Sequence, residues 1–298
     1  MTDKLVIAGI GEVLWDVYPD AARFGGAPAN FACHAAALGA DAWMASAVGV
    51  DDLGNRALAT LKSAGVECDA ISRDHDHDTG QVLVTLDTSG RASYRFADDS
   101  AWDHLDWSAS LESLAGRCDA LCFGTLGQRS ATSRATIQRF VRATPERSLR
   151  MFDVNLRQHF FDADGVDISL QAASAVKLNE EELPMIAKLC GTNGSTPRQI
   201  LRGLVSHYDL RLAALTCGAD GALLIAGDEE STCPAVPARV VDTVGAGDAF
   251  TATLVQDFLR GLPLDAINRH ANAVASYVCS QPGAVMRLPG HLLQAWND

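Results

Sequence analysis

Short apolar runs recur along the chain, and segments with the periodicity of amphipathic helices separate most of them. Such runs, bounded by polar or glycine positions, are typical of buried strands. The strands predicted in this way are Leu5–Ile10, Ala120–Phe123, Leu149–Asp153, Ala175–Leu178, Leu212–Thr216 and Ala222–Ile225. Predicted helices such as Ser130–Ala143 and Pro197–Tyr208 lie between them. This alternation predicts an α/β fold with a mostly parallel sheet that helices cover on both faces.

The first third of the chain has a different pattern. A helix of small residues is predicted at Asn30–Leu38, after a Gly-Gly-Ala-Pro turn. Further on, Gln81–Leu86 and Ala92–Phe96 alternate between apolar and polar positions, and Asp87–Gly90 between them has turn chemistry, which predicts a β-hairpin. We therefore expect one domain over residues 1–298, with a small sheet beside it formed by about 12–24 and 80–97.

Composition and charge exclude several classes of function. The chain has 298 residues, of which 48% are hydrophobic and 20% charged, as in globular proteins. Its net charge is −13 and it has no basic run, so it lacks the basic patch of a nucleic-acid binder. It has no apolar run of about 18 residues, the length that crosses a membrane, and no signal-peptide pattern. Its scattered cysteines form no CxxC pair, which favours a reducing, cytoplasmic location.

A glycine-rich turn leads directly into a predicted helix near the C-terminus. The segment Asp242–Asp248 reads Asp-Thr-Val-Gly-Ala-Gly-Asp, and small and apolar residues follow it. A helix start offers free N–H groups and a positive dipole end, and Gly245 and Gly247 let a phosphate approach the backbone closely. Asp248 would then be a suitable base for a substrate hydroxyl. The alternative for this segment is an ordinary helix cap.

The same segment resembles the C-terminal signature of the PfkB family of carbohydrate kinases. In that family the last Asp is the catalytic base, and the Gly-Ala-Gly amides form an anion hole. The resemblance therefore implies that Asp248 accepts the proton and that Gly245, Ala246 and Gly247 bind the transferring phosphoryl group.

A second segment resembles the family's N-terminal signature. Gly25–Ala32 reads Gly-Gly-Ala-Pro-Ala-Asn-Phe-Ala, and Gly39 and Gly49 follow at the matching spacing. Asp16 matches the acidic residue that follows the first strand in the family. Amide and carboxylate groups suit the recognition of a neutral polyol by hydrogen bonds. The residues that the resemblance implies in sugar binding are Asp16, Gly25, Gly26 and Asn30.

Further matches lie on the nucleotide side. Asp153–Arg157 resembles the family's DxNxR element and implies that Arg157 neutralises the transferring group; an ordinary surface arginine is the alternative. Asn179–Glu182 resembles the NxxE motif, in which Asn179 and Glu182 organise Mg²⁺ through water, whereas a solvated helix start is the alternative. Thr216–Gly221 resembles the TxGxxG turn that packs on the nucleotide. The nucleotide-binding residues implied are Asn179, Thr216, Gly218, Gly221 and Asn272.

Together the matches imply a three-layer αβα ribokinase-like domain with a β-sheet lid, which uses ATP and Mg²⁺ to phosphorylate a sugar hydroxyl. Segments Gly11–Pro19, Phe24–Phe31 and Cys279–Gly283 look most like fructokinases, so we expect fructose as the acceptor. One alternative is a sugar acid such as 2-keto-3-deoxygluconate, whose carboxylate would be bound by Arg95. The other is a catalytically silent sugar- or nucleotide-binding protein, against which the intact Asp248 and Arg157 argue.

Arg287 stands about where many relatives have a small polar residue beside a monovalent cation, so potassium activation is in doubt.

On the predicted hairpin, Val82 and Val84 share one face, and Leu83 shares the other face with Thr85. If the main domain covers one face, a second subunit could cover the other, and relatives often pair their lids. We therefore expect a homodimer joined through the hairpins.

Overall fold

The computed structural model describes residues 4–86 and 92–294 of the chain. The strands of these residues are β1 (Val6–Ile10), β2 (Leu14–Val17), β3 (Ala22–Gly25), β4 (Asp41–Gly49), β5 (Ile71–Asp74), β6 (Gly80–Leu86), β7 (Ala92–Phe96), β8 (Ala120–Phe123), β9 (Leu149–Asp153), β10 (Ala175–Asn179), β11 (Leu212–Thr216), β12 (Ala222–Ala226) and β13 (Glu229–Cys233). The α-helices are α1 (Ala27–Ala37), α2 (Asp52–Ser63), α3 (Ala109–Ala115), α4 (Ala131–Ala143), α5 (Ala163–Ala172), α6 (Leu183–Leu189), α7 (Pro197–Tyr208), α8 (Ala246–Leu259) and α9 (Leu264–Cys279).

The main sheet has nine strands in the order β13-β12-β11-β10-β9-β8-β1-β4-β5. The strands from β5 to β11 run parallel, and β12 and β13 extend the sheet antiparallel to their neighbours. The predicted α/β class and mostly parallel sheet are confirmed. None of the helices in the described residues is long and apolar enough to cross a membrane.

Two apolar clusters lie on opposite faces of this sheet and make the fold three-layered. Successive side chains of a strand point to opposite faces, and in β9 Met151 belongs to one cluster while Phe152 belongs to the other. Helices α1, α2, α8 and α9 pack into the first cluster, and α3 to α7 pack into the second. Because both faces are covered, the central strands are apolar along most of their length, which is the pattern that made them visible in the sequence.

The apolar runs predicted the core strands to within one residue at each end, but the sequence did not predict β4. This strand, Asp41–Gly49, pairs with β1 in the middle of the sheet. It is rich in alanine and follows a helix, so neither alternation nor β-branched residues distinguish it from helical sequence. Helix α1 also begins earlier than predicted, at Ala27, because Pro28 is tolerated in the first turn of a helix.

A second, four-stranded sheet with the order β3-β2-β6-β7 lies beside the main domain, and we call these four strands the lid. Strands β2 and β3 lie within residues 14–25, and β6 and β7 lie within residues 80–96, where they form an antiparallel hairpin. The predicted turn at Asp87–Gly90 lies outside the described residues.

The two faces of the lid have different environments. Val82 lies opposite Phe96 in the hairpin and packs with Trp102 and Leu126 of the main domain. Leu83 lies opposite Arg95 on the other face, and it remains 39% exposed. One apolar face is therefore covered by the main domain, and part of the other is open to solvent.

Candidate active site

Two segments that are distant in sequence meet at the carboxyl ends of the central strands. The Asn30 side chain on α1 donates a hydrogen bond of 2.8 Å from Nδ2 to Oδ2 of Asp248 on α8. This bond joins the Gly25–Ala32 segment to the Asp242–Asp248 segment. In open parallel sheets, ligands bind at this edge, outside the carboxyl ends of the strands.

The Gly-Ala-Gly turn has the geometry of a helix start. Gly245 is the N-cap of α8 and has a left-handed backbone with φ of 80°. A Cβ added there would lie 2.7 Å from the carbonyl oxygen of Ala284, so the position requires glycine. Asp242 holds the turn in place by accepting hydrogen bonds from the backbone N–H groups of Val244, at 3.0 Å, and Gly283, at 3.2 Å. The first amides of the helix are thus presented to the site.

Asp248 lies in the first turn of α8 and has a perturbed acidity. Loss of water around its carboxyl is the largest cause, and with the charge of Asp153 it raises the pKa of Asp248 to about 6. Lys177, the Asn30 hydrogen bond and Arg157 act in the opposite direction. The residue keeps partial contact with solvent. A carboxylate with this pKa is well suited to accept a proton near neutral pH.

A buried ion pair lies close enough to Asp248 to affect its pKa, and the sequence did not predict this pair. Lys177 on β10 lies 3.1 Å from Oδ1 of Asp153 on β9, and both side chains are buried. Thr251 donates a further hydrogen bond of 3.0 Å to Asp153. Burial acts to lower the pKa of Lys177, but Asp153 and Asp248 raise it above the ordinary value. Sequence analysis missed Lys177 because a lysine within an apolar strand belongs to no recognisable motif. Its function becomes visible only when the fold places it next to these acids.

The Lys177 ammonium also lies under the Gly-Ala-Gly turn. A Cβ added at Gly247 would be 3.1 Å from Nζ of Lys177. A fixed positive charge therefore adjoins the amides of the turn, and the absence of a side chain at Gly247 keeps the two close. Such a charge favours the binding of an anion at this helix start.

The acceptor side contains several acids and few cations. Asp16 on β2 is half-buried, and burial raises its pKa while Arg157 and Arg23 lower it. Oδ2 of Asp16 would be 3.4 Å from a Cβ at Gly25, so this glycine leaves room for the carboxylate. The charge of Arg157 also acts on Asp248. The structure thus brings Asp16, Gly25, Arg157 and Asp248 to one side of the site.

Gly26 and Glu12 complete this side. Gly26 is the N-cap of α1, and its φ of 109° is open only to glycine; an added Cβ would be 2.4 Å from the carbonyl oxygen of Glu12. Glu12 is 2% exposed, although it carries an ionisable group. The sequence did not single it out, because a Gly-Glu pair after a strand is common and its burial depends on packing.

Arg95 has a different position from the other predicted acceptor residues. In the lid, Arg95 lies opposite Leu83, whereas Asp16 pairs with Val82. Partners in adjacent strands share a face, so Arg95 lies on the outward face of the lid and Asp16 on the face toward the main domain. The structure does not bring Arg95 to the acids of the site.

The predicted nucleotide residues line one cavity of about 840 Å³. Its lining includes Asn179, Thr216, Gly218, Gly221, Asn272 and Gly247. The last of these residues belongs to the Gly-Ala-Gly turn, so the cavity opens onto the anion-binding amides. Its walls are largely apolar, with Phe250 and Val240 among them, as suits a planar base beside a phosphate site.

Asn179 and Glu182 are engaged with the backbone. Oδ1 of Asn179 accepts hydrogen bonds from the N–H groups of Glu181 and Glu182, both at 2.9 Å. The two carboxylate oxygens of Glu182 accept from the N–H groups of Leu156, at 2.8 Å, and Asn179, at 2.9 Å. Each oxygen retains a lone pair for a water. These groups fit Mg²⁺ held through water, which is how this ion is commonly bound.

Arg287 is exposed and lines a separate cavity between α1, the end of α2 and the C-terminal segment. Near it, the carbonyl oxygen of Ala284 is 2.9 Å from Nε2 of His34, which is buried. Burial lowers the pKa of His34 to about 4, so its ring is neutral at pH 7. Arg287 is thus part of this cavity and is not among the residues that line the nucleotide cavity.

One cluster outside this site has the residue types of a metal centre. Within the described part of the chain, His77, Asp99 and His104 are brought close enough to share an ion, at the base of the lid hairpin. The two rings are stacked with centroids 3.5 Å apart and planes 8° apart. In parallel planes the nitrogen lone pairs do not converge on one point. The cluster is better described as a carboxylate-bridged contact between the two ends of the hairpin.

Comparison with known proteins identifies the family. Residues 20–289 match the model of the pfkB family carbohydrate kinases. The chain belongs to this family. A fructokinase of Salmonella typhimurium is 28% identical over 94% of this chain and 95% of its own length. An ATP-dependent 6-phosphofructokinase of Thermoanaerobacterium thermosaccharolyticum is 28% identical over 89% of this chain and 82% of its own length.

A solved structure agrees with this family. An uncharacterised sugar kinase from Pyrococcus horikoshii, in complex with ATP, superposes with a TM-score of 0.79 at 28% identity and covers 94% of both chains. The protein is therefore an ATP-dependent sugar kinase with a ribokinase-like fold, and the alternative of a catalytically silent binding protein is set aside.

The buried Lys177–Asp153 pair makes a prediction about stability. Lys177→Met removes the cation but leaves Asp153 buried, so we expect the free energy of unfolding to fall by about 3–5 kcal/mol. The double variant Asp153→Asn/Lys177→Met should lose less than the two single changes added together, because the partners are coupled. Urea unfolding measures all three. Lys188→Met on the exposed side of α6 is the control, and a Lys177→Met protein as stable as this control would contradict the pairing.

Proposed function

We propose that this kinase transfers the γ-phosphoryl group of ATP to a hydroxyl of fructose, which yields fructose 6-phosphate. The observation that carries the proposal is the junction of Asn30 with Asp248, beside the Gly-Ala-Gly turn. It supplies a base and an anion site at one point, where the nucleotide cavity meets the acceptor side. The fructokinase relative of Salmonella typhimurium supports the choice of sugar.

In this reaction Asp248 takes the proton of the acceptor hydroxyl. The hydroxyl oxygen forms a bond to the γ-phosphorus, and the bond from that phosphorus to the bridging oxygen of ADP breaks. Negative charge on the transferring group is met by the amides of Gly245, Ala246 and Gly247, with Lys177 beneath them and Arg157 on the acceptor side. Catalysis thus rests on positioning and charge neutralisation.

The nucleotide would occupy the cavity lined by Asn179, Thr216, Gly218, Gly221 and Asn272. Mg²⁺, when bound with ATP, supplies charge neutralisation between the phosphates. Asn179 and Glu182 would act on it through water, since both are already bonded to the backbone.

A neutral acceptor suits the charges of the site. Asp16 and Asp248 place two carboxyl groups on the acceptor side. These groups, when ionised, would repel an acceptor that itself carries a phosphate or a carboxylate. This argument favours fructose over fructose 6-phosphate and over 2-keto-3-deoxygluconate, and Asp16, Gly25, Gly26 and Asn30 would then bind its hydroxyls.

We expect Asp248→Asn to lower kcat by about 10²–10⁴-fold, because the amide cannot accept the proton. Binding of ATP and fructose should change little, since the amide keeps the size of the side chain. Coupled detection of ADP gives kcat, and calorimetry gives both dissociation constants. Asp265→Asn, in the exposed first turn of α9, is the matched control. If Asp248→Asn kept more than about a tenth of wild-type kcat, Asp248 would not be the base.

The perturbed acidity of Asp248 sets the acid limb of the pH profile. The pKa of Asp248 is raised to about 6, and only the ionised form can accept a proton. The value of kcat/KM for fructose should therefore rise with pH up to about 6 and level off above it. Lys177 lowers this pKa, so Lys177→Met should move the limb to higher pH. A limb that stays in place in this variant would argue against the coupling.

The choice of acceptor is tested by comparing kcat/KM for fructose, fructose 6-phosphate, ribose, adenosine and 2-keto-3-deoxygluconate. We expect the highest value for fructose. If kcat/KM were highest for fructose 6-phosphate or for 2-keto-3-deoxygluconate, that compound would replace fructose as the proposed acceptor. In the case of the keto acid, Arg95→Ala would then be examined, because Arg95 is the cation that the sequence offered for its carboxylate.

We further propose a homodimer joined through the lids. The lid leaves Leu83 39% exposed on its outward face, opposite Arg95. Strand β7 is at the edge of the sheet, and unprotected edges with apolar residues tend to pair with another chain. A two-fold axis would bring identical lid surfaces together.

Sedimentation velocity at micromolar concentration tests the dimer. Leu83→Asp should shift the wild-type dimer to monomer, because a carboxylate would be buried in the interface. Val84 is buried within the subunit and is therefore left unchanged. The control is Met185→Asp, at a position on α6, outside the lid, that is 45% exposed. A wild-type monomer, or a Leu83→Asp dimer, would contradict the lid interface.

A further inference from the structure

Glu12 is a buried acid for which the described residues provide no partner of opposite charge within salt-bridge distance. It follows β1 and is 2% exposed. Its Oε1 accepts a hydrogen bond of 3.2 Å from the N–H group of Ala27, the first residue of α1. Its Oε2 is buried and has no hydrogen-bond partner. Buried carboxyl groups are usually paired or fully hydrogen-bonded, so this arrangement calls for an explanation.

The surroundings of Glu12 are tightly packed backbone. Its carbonyl oxygen would be 2.4 Å from a Cβ at Gly26, and its Oε2 would be 3.2 Å from a Cβ at Gly127. A Cβ at Gly9 would be only 2.2 Å from the carbonyl oxygen of Pro28. The start of α1 is therefore pressed against the end of β1, and the carboxyl of Glu12 fills the space between them.

The helix that Glu12 anchors carries Asn30. The N–H group of Asn30 donates to the carbonyl oxygen of Gly26 at 2.9 Å, and its side chain donates to Asp248 at 2.8 Å. A shift at the first turn of α1 therefore moves the group that holds Asp248. An unanchored first amide would also leave one of the orphan donors of the helix start unsatisfied.

We propose that Glu12 is a positioning residue of the acceptor site, whose carboxyl anchors the first amide of α1 and so fixes Asn30 against Asp248. This inference rests on the proposed function, because it assigns Glu12 to the acceptor half of the same reaction. It does not make Glu12 a base, since the carboxyl acts through α1.

The charge state of Glu12 supports this role. Burial is the largest cause that raises the pKa of Glu12 to about 7; the hydrogen bond from Ala27 and the charge of Arg157 lower it, and Asp248 raises it. The thiol of Cys122 also faces this region, and burial keeps its pKa well above the ordinary value, so it stays neutral. Glu12 is thus largely protonated below pH 7, and a neutral side chain of the same shape should replace it.

The kinetic experiment compares Glu12→Ala, Glu12→Gln and wild type, with the surface variant Glu146→Gln as control. Loss of a buried hydrogen-bond partner in Glu12→Ala should lower kcat/KM for fructose by roughly tenfold to a hundredfold. The dissociation constant of ATP should stay within about twofold, because the nucleotide cavity is built from other elements. Glu12→Gln keeps Oε1 and should retain most of the activity. Equal losses for sugar and ATP, or a Gln variant as impaired as the Ala variant, would overturn the proposal.

A second variant removes the same acceptor but keeps most of the volume of the side chain. Glu12→Met takes away the carboxyl oxygen to which Ala27 donates and leaves an unbranched side chain of similar length in its place. It should raise the KM for fructose more than it lowers kcat, as a positioning defect on the acceptor side would. If Glu12→Ala does not fold, this variant decides the matter, and an unchanged KM for fructose would overturn the anchoring role.

The pH dependence of stability provides a readout that does not need kinase activity. The folded pKa of Glu12 is raised from the ordinary value of 4.5 to about 7, so the stability of the wild type should fall as pH rises between these two values and level off above the higher one. The Tm of Glu12→Gln should therefore rise relative to that of the wild type from about pH 5 to about pH 7 and then keep a constant difference. A difference that is already constant from about pH 5 to about pH 7 would overturn the buried, protonated state. If the Tm followed this trend but the wild type had no sugar kinase activity, the proposed function would be wrong while the buried state of Glu12 would stand.

Discussion

The hydrogen bond between Asn30 and Asp248 is the contact on which the site depends. The two residues are 218 positions apart in sequence, and each lies in the first turns of a helix that starts after a glycine. Both helices, α1 and α8, pack on the same face of the main sheet. The sheet therefore sets the distance between the Gly25–Ala32 segment and the Gly-Ala-Gly turn. A small displacement of either helix would lengthen or break the hydrogen bond between Asn30 and Asp248.

The second constraint on the site is that several acidic side chains lie close together in it. Asp153, Asp248, Glu182 and Glu12 lie close to the reacting point, in a chain with a net charge of −13. These acids are stabilised in different ways. Asp153 is paired with Lys177, and Glu182 accepts hydrogen bonds from two backbone N–H groups. Burial raises the pKa of Asp248 and of Glu12, which favours their neutral forms. Because Lys177 is already paired with Asp153, the site has little unpaired positive charge, and the N–H groups at the start of α8 add to it.

The lid combines an inner face that packs on the main domain with an outer face that is partly open. Leu14 and Val82 pack with Trp102 and Leu126, while Trp15 on the other face donates to the carbonyl oxygen of Leu53. The strand that carries Asp16 is therefore fixed from both sides. This arrangement couples the position of the Asp16 carboxylate to that of the whole lid.

The sequence by itself determined the α/β class, the core strands and the two glycine-rich segments, because apolar runs and turn residues are local signals. It also singled out Asn179, Thr216, Gly218 and Gly221, which follow strand ends in motifs that resemble those of the family and which line one cavity. Only the tertiary structure decided that Lys177 lies under the Gly-Ala-Gly turn, that Arg95 faces away from Asp16, and that Glu12 is buried against α1. These are properties of strand order, register and packing between distant segments. A side chain's burial and charged neighbours depend on such contacts, and no local pattern along the chain encodes them.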